Sequence, residues 1–445
     1  MKKLLLLIYL TLWASITLAQ DDNNSTTGTY KKRVLESTEV ELLGSYYSQT
    51  GNNPAVTGGI GTEELKDLAS TIIVKLPLND DDVLSINAGI SAYSSASSSN
   101  INPFDGKSEA DPFQASSGAS SSDVWVNFTG VYSHSSDDRN SIWTGKASVS
   151  TEYDYTSFGL GGSYTRLMNE KNTEVSINGN VYFDQWSLIY PIELRPFVRG
   201  GDGIRHSFFE HYNLQGNSNY LPKFTGLDNS SRNSYSVGVS ISQILSKNLQ
   251  GVFMLDGILQ EGLLSTPFQR VYFQDYEDSF IQNFHLADDV ERLPSTRQKL
   301  AIGGRLNYFI NELLVLRSYY RYYLDSWNIK SQTVNLELPV KLSPSWTISP
   351  SYRHYWQSAA SYFAPYNEHL STDSYYTSDY DLSKFNAGQF GIGISYTDIF
   401  THFHIWRFGL KSVDLKFNSY ERNTGLKANI TTFGLKFTEV RPLGK

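Results

Sequence analysis

From Thr38 onward, apolar and polar residues trade places at every second position, in about sixteen separate segments of about ten residues each. Ser234–Ser242 sets Tyr235, Val237, Val239 and Ile241 against serine and glycine. Gln389–Tyr396 sets Phe390, Ile392, Ile394 and Tyr396 against Gln389, Gly391, Gly393 and Ser395. Glu174–Asp184 sets Val175, Ile177, Val181 and Phe183 against Ser176, Asn178, Asn180 and Asp184. A helix with its 3.6-residue period cannot segregate these faces; a pleated strand does. The length is what a tilted membrane strand needs, and exceeds the five or six residues usual in soluble sheets. The polar face is Ser, Asn and Gly rather than the Lys and Glu of a soluble surface. A soluble propeller or sandwich also alternates and is the competing reading.

The first eight segments are Thr38–Tyr47, Ser70–Leu78, Val83–Tyr93, Val124–Ser133, Ile142–Thr151, Thr156–Leu167, Thr173–Gln185 and Ser234–Leu245. The other eight are Leu249–Leu259, Gln298–Phe309, Leu313–Leu324, Ile329–Lys341, Trp346–Trp356, Ala387–Tyr396, Trp406–Asn418 and Lys427–Val440. Links from even to odd segments include Asn79–Asp82, Asn169–Lys171, Ser246–Asn248, Asn311-Glu312 and Ser343–Ser345, all short. Every long link runs from odd to even: Ser48–Ala69, Ser94–Asp123, Trp186–Asn233, Gln260–Arg297 and Gln357–Asn386. Outer-membrane barrels have short periplasmic turns, long extracellular loops and, in bacteria, an even strand number. The expected fold is therefore all-β: a transmembrane antiparallel barrel of about 16 strands, with fourteen and eighteen as alternatives. Both termini would then lie in the periplasm.

The N-terminus agrees with export. Lys2 and Lys3 precede an apolar run, Leu4 to Leu18, of about 15 residues, and Thr17-Leu18-Ala19 ends in a small residue. Residues 1–19 read as a signal peptide, 20–32 as a mobile periplasmic arm, and 33–445 as the barrel. No later run approaches the ~18 apolar residues of a membrane helix. The 30 Tyr and 24 Phe, against 3 Met, suit lipid–water boundaries, where an apolar ring with a wet edge is favoured. With no cysteine there is no disulfide, lipoprotein anchor or thiolate metal site. A net charge of -8 without a run of like charge argues against nucleic acid as a partner.

Several stretches carry a family likeness. They are Tyr30–Glu36, Ala55–Glu63, the serine-rich Ser94–Asp123, Gly262–Tyr272, Tyr319–Tyr323 and Tyr376–Phe385. In these the chain resembles the DUF3570 family, outer-membrane proteins widespread in Gram-negative bacteria and common in Bacteroidetes. The resemblance spans essentially the whole mature chain. It implies an outer-membrane barrel and brings no activity with it.

Period-two spacing places Arg305, Arg317, Arg321 and Arg353 opposite lipid-facing Leu300, Ile302, Leu306, Leu314 and Leu316. Glu337 and Lys341 share that inward side of the next strand. This wall is read either as a cationic strip that biases a pore toward anions, or as an ion-pair network that only holds the wall together. Pro267, Arg270, Asp379 and Asp381 lie among aromatics in two long loops, as in a ligand or partner patch, or in loops folded inward to narrow a pore. Asp105, Glu109, Asp111 and Asp123 could offer oxygens to Ca²⁺ but lack the EF-hand spacing. His402 and His404 lack a neighbouring third ligand, and Gly200–Gly203 lacks the strand-to-helix setting of a phosphate cradle. No metal, cofactor or catalytic residue is assigned. No Gly-x-Ser-x-Gly elbow is present, so a barrel enzyme ranks third. The leading expectation is a porin-like channel for small polar or anionic solutes, embedded in outer-membrane lipid. Second is a plugged, non-conducting barrel that docks a periplasmic or surface protein.

Overall fold

The computed structural model describes residues 32–95 and 122–440. The expected signal peptide (1–19), residues 20–31 of the expected arm and the acidic residues Asp105, Glu109 and Asp111 lie outside the described residues. The unit from Val34 onward contains the fold described below.

Eighteen stretches hydrogen-bond into one antiparallel sheet. Two are two-residue pieces, Val340–Lys341 and His404–Ile405, which leaves sixteen strands in the wall. These are β1 (Glu39–Gly51), β2 (Glu63–Pro77), β3 (Asp82–Ser95), β4 (Ser122–Ser135), β5 (Ser141–Thr151), β6 (Tyr155–Met168), β7 (Thr173–Trp186) and β8 (Ser231–Ser246). The chain continues with β9 (Leu249–Gly262), β10 (Thr296–Phe309), β11 (Val315–Asp325), β12 (Lys330–Glu337), β13 (Trp346–Gln357), β14 (Phe385–Thr397), β15 (Phe408–Arg422) and β16 (Lys427–Glu439). Each strand pairs with its sequence neighbours, and β1 pairs with β16 from Glu39↔Thr438 to Thr50↔Lys427, so the sheet closes on itself. Closure removes every free edge, which is why a sheet can cross a bilayer with no backbone group unsatisfied. Each of the sixteen segments read from alternation contains a strand, and most strands extend a few residues further at an end; Ile329–Lys341 is interrupted at Leu338-Pro339, where proline has no amide to donate, and splits into Lys330–Glu337 and Val340–Lys341.

The outer face carries the apolar partners of the alternation. Phe390, Ile392 and Ile394 on β14, Val237 and Ile241 on β8, and Ile90 on β3 are all exposed. Such a continuous apolar belt would aggregate in water and is matched by lipid tails. No helix among the described residues is long and apolar enough to cross a membrane.

The turns at one end owe their shape to short polar side chains. Asn79 Oδ1 accepts from the Asp81 and Asp82 amides, and Asn311 Oδ1 accepts from Leu313 and Leu314. Ser343 Oγ does the same for Ser345 and Trp346. These are the local bonds by which Asn and Ser favour turns over ladder pairing. The links at this end are 78–81, 136–140, 169–172, 247–248, 310–314, 342–345 and the longer 398–407. At the other end lie 52–62, 187–230, 263–295 and 358–384, together with three links of three or four residues. The β3–β4 link is also at that end, mostly outside the described residues.

The principal buried core is not in the wall. It is made by the long links, where Leu194, Phe224, Ile281, Leu286 and Val290 are almost wholly inaccessible.

Candidate functional site

Two places gather the chemistry: one patch of the inner wall and the packed long links beside it.

On the wall, cross-strand register stacks the basic residues. Asn307 faces Arg317, Arg305 faces Tyr319 and Gly303 faces Arg321 across β10–β11. Arg317 faces Glu337 and Arg321 faces Thr333 across β11–β12, and Asn335 faces Arg353 across β12–β13. Arg305, Arg317, Arg321, Glu337 and Arg353 thereby line one cavity of about 660 Å³, with Asn307, Tyr319, Thr333 and Asn335. Lys341 keeps the same face, since the Val340↔Ile348 pairing continues the β12–β13 register, but it lies nearer the short-turn end and does not line this cavity.

The basic residues are not equally neutralised. Arg317 donates to Glu337 Oε1 at 2.8 Å, and Lys416 on β15 stands 3.9 Å from the other oxygen of Glu337. Among the described residues, Arg305, Arg321 and Arg353 have no carboxylate within ion-pair reach. Arg305 lies over the Tyr319 ring at 6.0 Å and Arg321 over Tyr323 at 5.9 Å, which steadies the guanidinium planes without cancelling charge. Guanidinium forks beside amide and hydroxyl donors are suited to carboxylate or phosphate oxygens. Lys416 and the Asn307 and Asn335 amides were not singled out from sequence, although each sits at the inward parity of its strand.

The long links form a second assembly. Arg270 and Pro267 lie inside it rather than on its surface. Arg270 Nε donates to Glu193 Oε1 at 2.6 Å, its Nη2 to Glu193 Oε2 at 3.1 Å, and its Nη1 to the Val56 carbonyl at 3.2 Å. One side chain thus ties together the links 52–62, 187–230 and 263–295. The link 358–384 joins through Tyr376 Oη to Asp289 and Thr377 Oγ1 to Glu291, both 2.5 Å. Glu291 is buried, and burial with the nearby Asp379 charge pushes its carboxyl up to about 8. Asp288, also buried, is pushed up to about 7 by desolvation, against the Phe273 amide that donates to it.

Asp379 is half-buried and caps the turn Tyr380–Leu382 by accepting from the Asp381 amide. Asp381 is exposed and accepts from Arg422 on β15 at 2.8 Å. Gln357 on β13 donates to the Asp381 and Ser383 carbonyls. Gln357 and Arg422 have the inward parity of their strands, so this link bends over the lumen side of the wall. Gly58, at φ +77, and Gly59, at φ +92, let the 52–62 link press against Tyr272, Ser378 and Tyr380, where a Cβ would collide. The stretches Ala55–Glu63, Gly262–Tyr272 and Tyr376–Phe385, distant in sequence, thus meet in one place.

At the opposite end, His402 Nδ1 lies 3.3 Å from Asp398 and His404 Nδ1 lies 3.1 Å from the His402 carbonyl.

Solved structures of similar architecture include a bacterial polysaccharide outer membrane secretin (10% identity, TM-score 0.44, covering 92% of this chain and 100% of that one). The outer membrane protein opdK from Pseudomonas aeruginosa is similar at 7% identity, with a TM-score of 0.38 and coverage of 91% and 99%. A BenF-like porin from Pseudomonas fluorescens Pf-5 is similar at 8% identity, with a TM-score of 0.38 and coverage of 90% and 98%. No curated protein matches the sequence. The model of the family described as "Protein of unknown function (DUF3570)" matches residues 9–434, and the chain belongs to that family.

Proposed function

We propose that this outer-membrane barrel is a channel for small anionic solutes, entered past the packed long links. The observation that carries the reading is the set of three guanidiniums, Arg305, Arg321 and Arg353, lining one cavity with no carboxylate within ion-pair reach among the described residues. A wall that needed only internal cross-links would neutralise them, as Glu337 does for Arg317. Rings of uncompensated charge bias permeation toward the opposite sign. The orientation that goes with this reading has the short turns and both termini in the periplasm and the long links outside, as in other barrels of this type. The test is reconstitution into planar bilayers. Ion currents whose reversal potential in a KCl gradient favours chloride support the reading, and clear cation preference rejects it.

A second reading is favoured by the depth of burial in the long links: a closed barrel whose links form a docking surface for a periplasmic or surface protein. Leu194, Leu286 and Val290 are at 0% exposure, a degree of packing uncommon in loops that merely rim a pore. Absence of conductance, with a stoichiometric partner recovered from native membranes, would favour it.

A further inference from the structure

The arginines of the inner-wall cavity stand in a definite figure. Cross-strand register puts Arg305, Tyr319, Asn335 and Arg353 in one row across β10, β11, β12 and β13. Arg321 lies two residues beyond Tyr319 on β11, toward the long links, and Arg317 lies two residues before it, toward the short turns. Four guanidiniums therefore stand at the corners of a diamond whose centre is Tyr319 and Asn335. Antiparallel neighbours are ~4.8 Å apart and each residue rises ~3.4 Å, so opposite corners are about 14 Å apart at the backbone in both directions. Long side chains from opposite corners can close across that span on one small anion, and all four line the same cavity.

The donors of this figure are largely unspent. Arg305, Arg321 and Arg353 make no hydrogen bond or ion pair with another described residue, and neither do the side chains of Tyr319, Thr333 and Asn335. Glu337, the carboxylate that lines the cavity, is engaged by Arg317 at 2.8 Å. The local excess is thus three positive charges, surrounded by hydroxyl and amide donors. A chloride ion has one charge and no directional acceptors. A planar carboxylate has two oxygens, which a single guanidinium fork can occupy. A phosphoryl group carries close to two negative charges at neutral pH and points three strong acceptor oxygens in different directions. Of these, only the phosphoryl group can accept from several corners of the diamond at once.

We propose that the diamond of Arg305, Arg317, Arg321 and Arg353 is a binding site for a phosphoryl group, as inorganic phosphate or a small phosphate monoester. Such a site rests on the anion-channel reading for its access from solution and narrows the solute to one chemistry. Arg305, Arg321 and Arg353 would donate to the peripheral oxygens from three sides, and the Tyr319 hydroxyl and Asn335 amide from the wall between them. Arg317, shared with Glu337, closes the fourth side.

The experiment uses the full chain refolded in detergent micelles and titrated calorimetrically, near neutral pH and at low salt, with inorganic phosphate, glucose 6-phosphate and succinate. The same protein in planar bilayers gives the reversal potential. We expect both phosphates to bind, and succinate, a dianion without a phosphoryl group, to bind at least about tenfold more weakly. Equal affinities for the two phosphates identify the phosphoryl group alone as the ligand; a clear preference for glucose 6-phosphate identifies a monoester. Arg321→Gln and Arg353→Gln should each weaken phosphate binding by at least about tenfold. Neither side chain bonds another described residue, so both variants should keep heat-modifiable gel migration; if one does not fold, the other decides. Lys75→Gln removes an equal charge from a pair with Glu41 on β1, which keeps Lys436 at 3.1 Å, and should leave phosphate affinity within about twofold. No binding of either phosphate, succinate bound as tightly, unchanged affinity in a folded Arg321→Gln or Arg353→Gln protein, or an equal loss in Lys75→Gln overturns the proposal. Chloride preference together with any of these leaves the channel reading standing while the phosphoryl site falls. Cation preference with arginine-dependent phosphate binding does the reverse.

Discussion

Arg270 and Glu193 meet through two hydrogen bonds, 2.6 and 3.1 Å, at a point where both side chains are almost completely inaccessible. Removing one member of such a pair strands the other charge, at a cost of about 3–5 kcal/mol. Arg270→Met or Glu193→Leu alone should therefore loosen the long links while the wall stays closed. Limited proteolysis should show new cleavage within 187–230 and 263–295, with heat-modifiable migration retained. The double variant should be cleaved less than either single one, because no charge is left buried alone.

Acid should tighten the same assembly. Glu291 and Asp288 have carboxyls pushed up to about 8 and about 7, whereas an unfolded chain titrates them near ~4. Between those limits the packed links hold more protons than the opened links, so their stability falls as pH rises from ~4 through 8. Amide exchange in 263–295 should therefore be slower at pH 6 than at pH 8.5, after correction for intrinsic rates. Glu291→Gln should flatten most of the difference; an undiminished dependence in that variant would contradict this account.

Glu337 is the carboxylate that restrains the cationic wall. Its pair with Arg317 is half open to water and worth only about 0–1 kcal/mol, so Glu337→Gln should barely change stability. It should leave Arg317 and Lys416 unpaired and move the reversal potential further toward chloride. Arg321→Gln should move it the other way.

Val237 faces outward near the middle of β8 and is 53% exposed. If that surface is lipid, Val237→Arg should cost about 2–4 kcal/mol in urea unfolding from bilayers. Val237→Leu should be close to neutral. A negligible cost for the arginine would place this face in water.

The sequence alone determined the wall. The pleat turns every second side chain to the same face, so Val237 and Ile241 could be assigned outward and Arg305, Arg317, Arg321 and Arg353 inward without any contact being known. Antiparallel neighbours alternate ends, so link lengths sorted themselves by parity. Both rules act within about ten residues and leave a periodic trace. The long links have no such period. That Arg270 is buried against Glu193, 77 positions away, and that Tyr376 reaches Asp289, 87 positions away, depend on contacts between distant segments, which only tertiary packing sets. Composition marked Pro267, Arg270, Asp379 and Asp381 as a group of interest. Only the packed loops decided that the first two lie inside the assembly and that Asp381 reaches Arg422 on the wall.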